Sequence, residues 1–188
     1  MNAIRVPNEA HKLKNINSPY RGIGLVLLLI QIVRIPWEKL LKAYATLTIV
    51  AMFIVMEISK CIESPISLCA SLETVVIHHR WRNLLLSHIA HLNEWHVYHN
   101  LSWFSRHAVV VENKIGSMEF LKVMVSLMVR SQLIHLGLNN IIFWVTNSDA
   151  YLNDCYLGIS GLVFALAVLS HSYASGYWDL KFPCGYTT

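Results

Sequence analysis

The chain has 188 residues, 55% of them hydrophobic, only 14% charged, with a formal net charge of +4 and a mean hydropathy of +0.45. Soluble domains usually carry about a quarter charged residues, so the composition points to a helical membrane protein. A nucleic-acid partner is not expected, because no basic stripe interleaved with aromatic residues follows the basic N-terminus.

Residues 1–20 read as a polar tail. Seven basic residues precede position 43, namely Arg5, Lys12, Lys14, Arg21, Arg34, Lys39 and Lys42, against only Glu9 and Glu38. Such a flank is retained in the cytoplasm, and no cleavage site follows the first apolar run, so that tail is expected to be cytoplasmic. Residues 22–33 are apolar but short of the roughly 20 residues that a membrane span needs. They are expected to form an interfacial or re-entrant helix, broken at Pro36.

Residues 40–58 are the first strong span, with Lys42 and Glu57 near its ends. Residues 59–90 form a long mixed loop, amphipathic over Trp81–Leu86 as in a helix lying at the interface. A second span is expected over residues 91–111 and a third over 118–138, bounded by Gly116 and the Asn139–Asn140 pair. After a polar loop at 146–154 comes a fourth span, over 156–175, rich in the small residues that let membrane helices approach closely. Four spans place both termini on the cytoplasmic side. The four cysteines, Cys61, Cys69, Cys155 and Cys184, have no metal-binding spacing. Cys61 and Cys69 share the loop read as non-cytosolic, where a disulfide and two free thiols are both open.

Two groups of residues could carry chemistry. Gly158-Ile159-Ser160-Gly161 opens the fourth span. A serine at a helix start is exposed beside free backbone N–H groups, which suit a developing oxyanion. The same pattern also serves as a helix-packing motif. His96 and Asn100 lie four apart, on one face of the second span. They suit either an oxyanion donor pair or an inter-helix hydrogen bond. Seven of the ten histidines fall between positions 78 and 107, yet no second cluster with carboxylates accompanies them, so neither metal nor cofactor is expected.

Together these motifs resemble the rhomboid family of intramembrane serine proteases, and most closely its endoplasmic-reticulum branch. The resemblance rests on the loop pair Trp81-Arg82, the second-span pattern His91, His96 and Asn100, Glu112 to Gly116 before the third span, and Gly158 to Gly161 at the fourth. Arg21-Gly22-Ile23 and Leu84-Leu85-Leu86-Ser87 carry the resemblance to that branch.

This likeness implies an all-α, rhomboid-like helical membrane bundle holding about four of the family's six spans, with residues 21–188 a partial rhomboid domain. It implies a multi-pass protein of the endoplasmic-reticulum membrane, with transmembrane protein substrates or clients as partners in the lipid bilayer. Ser160 becomes the nucleophile, His96 and Asn100 with the Ser160 N–H the oxyanion hole, and Glu112 a structural anchor. Trp81 and Arg82 seat the first loop; His91, Gly116, Gly158 and Gly161 complete the motif.

Three features depart from the pattern. Lys114 replaces an arginine, and Phe164 stands where a tyrosine is common. The family's basic histidine, in a Gly-x-x-x-Ala-His pattern of a sixth span, has no counterpart in these residues. The expected function is an intramembrane serine endopeptidase, inactive in this chain as written for want of that histidine. The alternative is a non-catalytic module that binds transmembrane clients.

Overall fold

A computed structural model describes residues 22–59, 62 and 64–175. The polar tail, Cys61, Cys184 and the residues after Ser175 lie outside the described residues. The described chain is helical throughout apart from one isolated antiparallel bridge, Ala70 to Tyr156. In order it forms α1 (Ile23–Val33), α2 (Trp37–Leu40), α3 (Tyr44–Ser59), α4 (Asn83–Ile89), α5 (Glu94–Ile115), α6 (Ser117–Thr146) and α7 (Ser160–Ser175). Short 3₁₀ turns at Pro65–Leu68 and Asp149–Tyr151, and a π turn at Glu73–Ile77, fill the loops.

α5 is the centre of the bundle, and its apolar face is the core. Val97, Leu101, Phe104, Ala108 and Val111 pack against Leu28 of α1, Val50 and Phe53 of α3, Phe120 and Met124 of α6, and Leu162 and Leu166 of α7. Among the described residues, only α6 is long and apolar enough to cross a membrane on length and composition alone; α1, α3 and α7 are shorter apolar helices. Its outward residues, among them Val125, Leu133, Ile134, Leu138, Ile141 and Trp144, are exposed, as a lipid-facing surface would be.

The helix limits depart from the hydropathy reading for local reasons. α5 begins at Glu94 because the Asn93 side chain accepts the His96 backbone N–H at 2.9 Å, an N-cap. It runs on to Gly116, whose φ of +83° reverses the chain directly into α6. α6 does not stop at Asn139–Asn140 but continues to Thr146, since Asn139 is satisfied inside the helix by donating to Asp154 Oδ2 at 2.9 Å. α7 starts at Ser160 rather than 156, because Tyr156 is paired with Ala70 and Gly158 holds a φ of +89°.

The first apolar run forms a short helix, as its length implied, and this helix lies along α5. Glu94 in the first turn of α5 accepts the backbone N–H groups of Gly22 and Gly24 at 2.9 and 2.8 Å. Arg106 further along α5 is hydrogen-bonded to Gln31. Asn113 near its end donates to the Lys39 carbonyl at 2.9 Å. Residues 22–39 therefore run alongside α5 from Glu94 to Asn113, a rise of about 28 Å at 1.5 Å per residue. The half-buried Glu94 carboxylate that attracts the α1 N-terminus does so through the unpaired N–H groups of a helix start.

The disulfide joins Cys69 to Cys155, with Cα atoms 5.5 Å apart. The pairing of Cys61 with Cys69 considered from the sequence is therefore corrected. The bridge Ala70–Tyr156 sits beside the cystine and brings the first loop against the segment that precedes α7.

Candidate active site at the start of α7

Gly158 is where the two helices meet. A Cβ placed on it would lie 3.0 Å from His96 Cε1 and 3.1 Å from both His96 Nε2 and Asn100 Nδ2. Both side chains thus close onto one α-carbon, and a Cβ there would force them to give by a few tenths of an ångström. Its left-handed φ also suits glycine alone among the common residues. The backbone N–H of Gly158 donates to the Ser87 carbonyl at 2.7 Å, so the turn is held from the α4 side as well.

The polar atoms at this point are underused. Asn100 is buried, and its Nδ2 has no hydrogen-bond partner among the described residues. His91 Nε2 is likewise buried and unpartnered; the His91 ring packs edge-on to His96, with centroids 5.0 Å apart, and to Phe53 at 5.4 Å. Ser160, two residues past Gly158, is the first residue of α7 and half-buried. Its hydroxyl makes no hydrogen bond among the described residues. A helix start also leaves backbone N–H groups unclaimed. The arrangement gathers an amide donor without a partner among the described residues, an imidazole and a helix N-terminus around a serine-bearing turn, a donor set that can stabilise negative charge on oxygen.

A second layer of polar residues supports the turn, and the sequence reading did not single most of them out. Gln132 of α6 donates to Ser87 Oγ at 2.7 Å and is itself buried. The Tyr156 ring packs against His88 and His135, with centroids 5.2 and 5.4 Å away. Its hydroxyl would stand 2.7 Å from a Cβ on Gly161, and burial pushes its pKa up, so it remains a neutral phenol. Burial lowers the pKa of His88. The available signal was weak, an amide, Gln132, among several polar residues of a long, mainly apolar helix.

Other motif residues lie elsewhere. Trp81 and Arg82 are exposed on the turn leading into α4. Glu112 and Gly116 are at the far end of α5. There Glu112, 1% exposed, accepts from Ala45 N and Thr46 N at 2.8 Å, Thr46 Oγ1 at 2.6 Å and Ser117 Oγ at 2.5 Å. It caps the start of α3 and ties it to the α5–α6 turn. His107 of α5 shares a hydrogen bond with Ser170 of α7 at 2.6 Å, while His99 is exposed. Lys114 and Phe164 are both exposed.

An all-helical membrane bundle with a Gly-x-Ser-Gly turn seated on a His-x-x-x-Asn helix defines a class of protein, and sequence comparison gives the same class. The rhomboid domain family matches residues 78–183, and the chain belongs to that family. It is 31% identical to Rhomboid-related protein 4 of Mus musculus and 30% identical to that of Homo sapiens. Each match runs over 159 residues, 83% of this chain and 49% of the relative. It is also 32% identical over 101 residues to Rhomboid-like protein 14, mitochondrial, of Arabidopsis thaliana, covering 53% of this chain and 30% of that one. The chain thus spans about half the length of the Rhomboid-related protein 4 relatives it matches. No solved structure matches it.

Proposed function

We propose that these residues form the nucleophile half of a rhomboid-type intramembrane serine endopeptidase acting on transmembrane protein substrates. The convergence of His96 and Asn100 on Gly158, two residues before Ser160, carries this reading. Ser160 attacks the scissile carbonyl; His96, Asn100 and the Ser160 N–H receive the negative charge that develops on its oxygen. Asn100 Nδ2, buried and without another partner, loses no existing hydrogen bond when it turns to that oxygen. Gly158 keeps both side chains close, and Gly161 allows α7 to pack beside Tyr156.

A serine hydroxyl needs a proton acceptor, and the Ser160 hydroxyl has none among the described residues. The family's Gly-x-x-x-Ala-His pattern is missing from these 188 residues. The endopeptidase reading therefore concerns a protein that supplies such a histidine. The unpartnered Ser160 favours a second reading for the chain alone, a rhomboid-like module that binds transmembrane clients without cleaving them.

We place residues 21–188 in a partial rhomboid domain, in a multi-pass protein of the endoplasmic-reticulum membrane. The Cys69–Cys155 bond supports an oxidising compartment on the Ser160 face.

The test is cleavage of a transmembrane substrate, in lipid, by a form of the protein that carries such a histidine. Ser160→Ala is expected to abolish cleavage. Asn100→Ala is expected to lower kcat by about a hundredfold with little change in KM. Cleavage by the Ser160→Ala protein at the unmodified rate would overturn the endopeptidase reading.

A further inference from the structure

The first loop meets the segment before the Ser160 turn at a seam that is closed by sulfur, and Ser87 holds the turn from the α4 side. Beside the Cys69–Cys155 bond, Ala70 N donates to the Tyr156 carbonyl at 3.3 Å and Tyr156 N to the Ala70 carbonyl at 3.0 Å, while Glu73 N donates to the Leu152 carbonyl at 2.9 Å. Two backbone hydrogen bonds in an isolated bridge and a third beside it, flanked by exposed Asn153 and Asp154, are a weak tie by themselves. The cystine closes a loop of 86 residues, and cross-linking a loop of that size strongly restricts the opened chain. The segment it holds is short. Leu157 packs against Cys69 and Ala90, Gly158 is bonded to Ser87, and Ser160 follows five residues after Cys155.

The two cysteines are not equally exposed. Cys69 is 5% exposed, and its carbonyl is occupied by Asn83 Nδ2 at 2.7 Å and Thr74 Oγ1 at 2.9 Å. Cys155 is exposed on the opposite side of the seam. Access decides which sulfur of a disulfide is attacked.

We propose that Cys69–Cys155 is a thiol–disulfide exchange site, entered at Cys155 by a dithiol protein of the compartment on this face, and that its redox state governs the order of the Gly158–Gly161 turn. A thiolate of the dithiol attacks Cys155 Sγ, the Cys69–Cys155 bond breaks, and Cys69 leaves as a thiolate that takes up a proton. The second thiol of the dithiol then attacks its own mixed-disulfide sulfur and releases Cys155 as a thiol. Two electrons and two protons pass from the dithiol to this chain, and the dithiol becomes a disulfide. The regulatory consequence rests on the endopeptidase reading above, but the exchange itself does not.

The experiment uses residues 1–188 in membranes, in a Cys61→Ser/Cys184→Ser background, with a maleimide mass tag added after denaturation. No tag is expected before reduction and two after it. In the folded protein, reduction should speed proteolysis of the 147–157 loop by at least about tenfold, the signature of local opening. A Cys69→Ser/Cys155→Ser variant should be cut fast with or without reductant. A thioredoxin-fold dithiol domain lacking its resolving cysteine should be trapped on Cys155. Two tags without reduction, a loop whose proteolysis ignores reduction, or trapping on Cys69 would each overturn the proposal. None of these readouts depends on peptidase activity, so a failed cleavage assay and a failed exchange site are told apart.

Discussion

Glu112 Oε2 accepts both the backbone N–H and the hydroxyl of Thr46, at 2.8 and 2.6 Å. Its other oxygen serves Ala45 and Ser117, so one buried carboxylate replaces an N-cap for α3 and fastens three helices at a single point. Orphaning a buried donor costs about 1–3 kcal/mol, and a carboxylate at a helix start adds up to about 2 kcal/mol. Glu112→Ala should therefore destabilise the bundle by at least about 3 kcal/mol. Glu112→Gln should lose less, because one acceptor oxygen survives. Equilibrium unfolding in detergent measures both; an alanine variant as stable as the parent would remove the anchor role.

Gly158 and Gly116 separate two reasons for a glycine. Both hold a left-handed φ, +89° and +83°. A Cβ on Gly116 would meet nothing within 4 Å, whereas one on Gly158 would press on His96 and Asn100. Gly116→Ala should cost only the backbone strain, about 1–2 kcal/mol. Gly158→Ala should cost more and also displace His96 and Asn100. Stability of the two variants and, in the base-containing protein, their cleavage rates make the comparison; equal losses in both would mean the Gly158 contact is immaterial.

A steric pair gives a sharper test of the second layer. Gly161→Ala would bring a Cβ to 2.7 Å from the Tyr156 hydroxyl, a distance that real contacts do not sustain. Removing that oxygen with Tyr156→Phe should relieve part of the clash. The double variant should then be more stable than the sum of the single losses by about 1 kcal/mol, the coupling expected of residues in contact. Strict additivity in thermal unfolding would show that α7 pivots away from Tyr156 instead.

The helical class and the order of motifs were legible because apolar runs, Gly116 and the Gly158–Gly161 turn leave local signatures. What was not legible depends on partners distant in sequence. Nothing near Gly22 announces that Glu94 will hold it, so an 11-residue apolar run looked too short to follow α5 through the bundle. Asn139–Asn140 looked like a stop, because the acceptor Asp154 lies 15 residues on. Cys69 had a nearer candidate in Cys61 than in Cys155, and Ser87 and Gln132 become meaningful only once Gly158 is seen bonded to the former.

The course of α1 sets positional reasoning against charge reasoning. The basic N-terminal residues argue for a cytoplasmic tail. The Gly22 and Gly24 contacts with Glu94 instead start α1 at the end of the bundle where α5 begins, with His96 close by. A glycan acceptor inserted just before Gly22 is expected to behave like one inserted in the 147–153 loop, and unlike one inserted beside Lys114. If it behaves like the Lys114 insertion, the charge rule has won and α1 does not run the length of α5.

The last prediction is that residues 1–188, made as they stand, do not cleave a transmembrane substrate. His171 is the one histidine after Ser160 in this sequence. It lies eleven residues further along α7, about 16 Å away at 1.5 Å per residue, while proton transfer needs about 3 Å. His96 is close to the turn, but as an oxyanion donor it is not free to be the base in the same step. His107 is engaged with Ser170, and the His135 ring packs on Tyr156. An oxyanion hole without a base leaves only a small remnant of activity in soluble serine proteases. The purified chain with a fluorogenic transmembrane substrate, beside its Ser160→Ala variant, is expected to give indistinguishable rates. Cleavage that vanishes in the alanine variant would mean that a residue already present supplies the base, and His91, whose buried Nε2 has no partner and whose ring touches His96, would be the first to mutate.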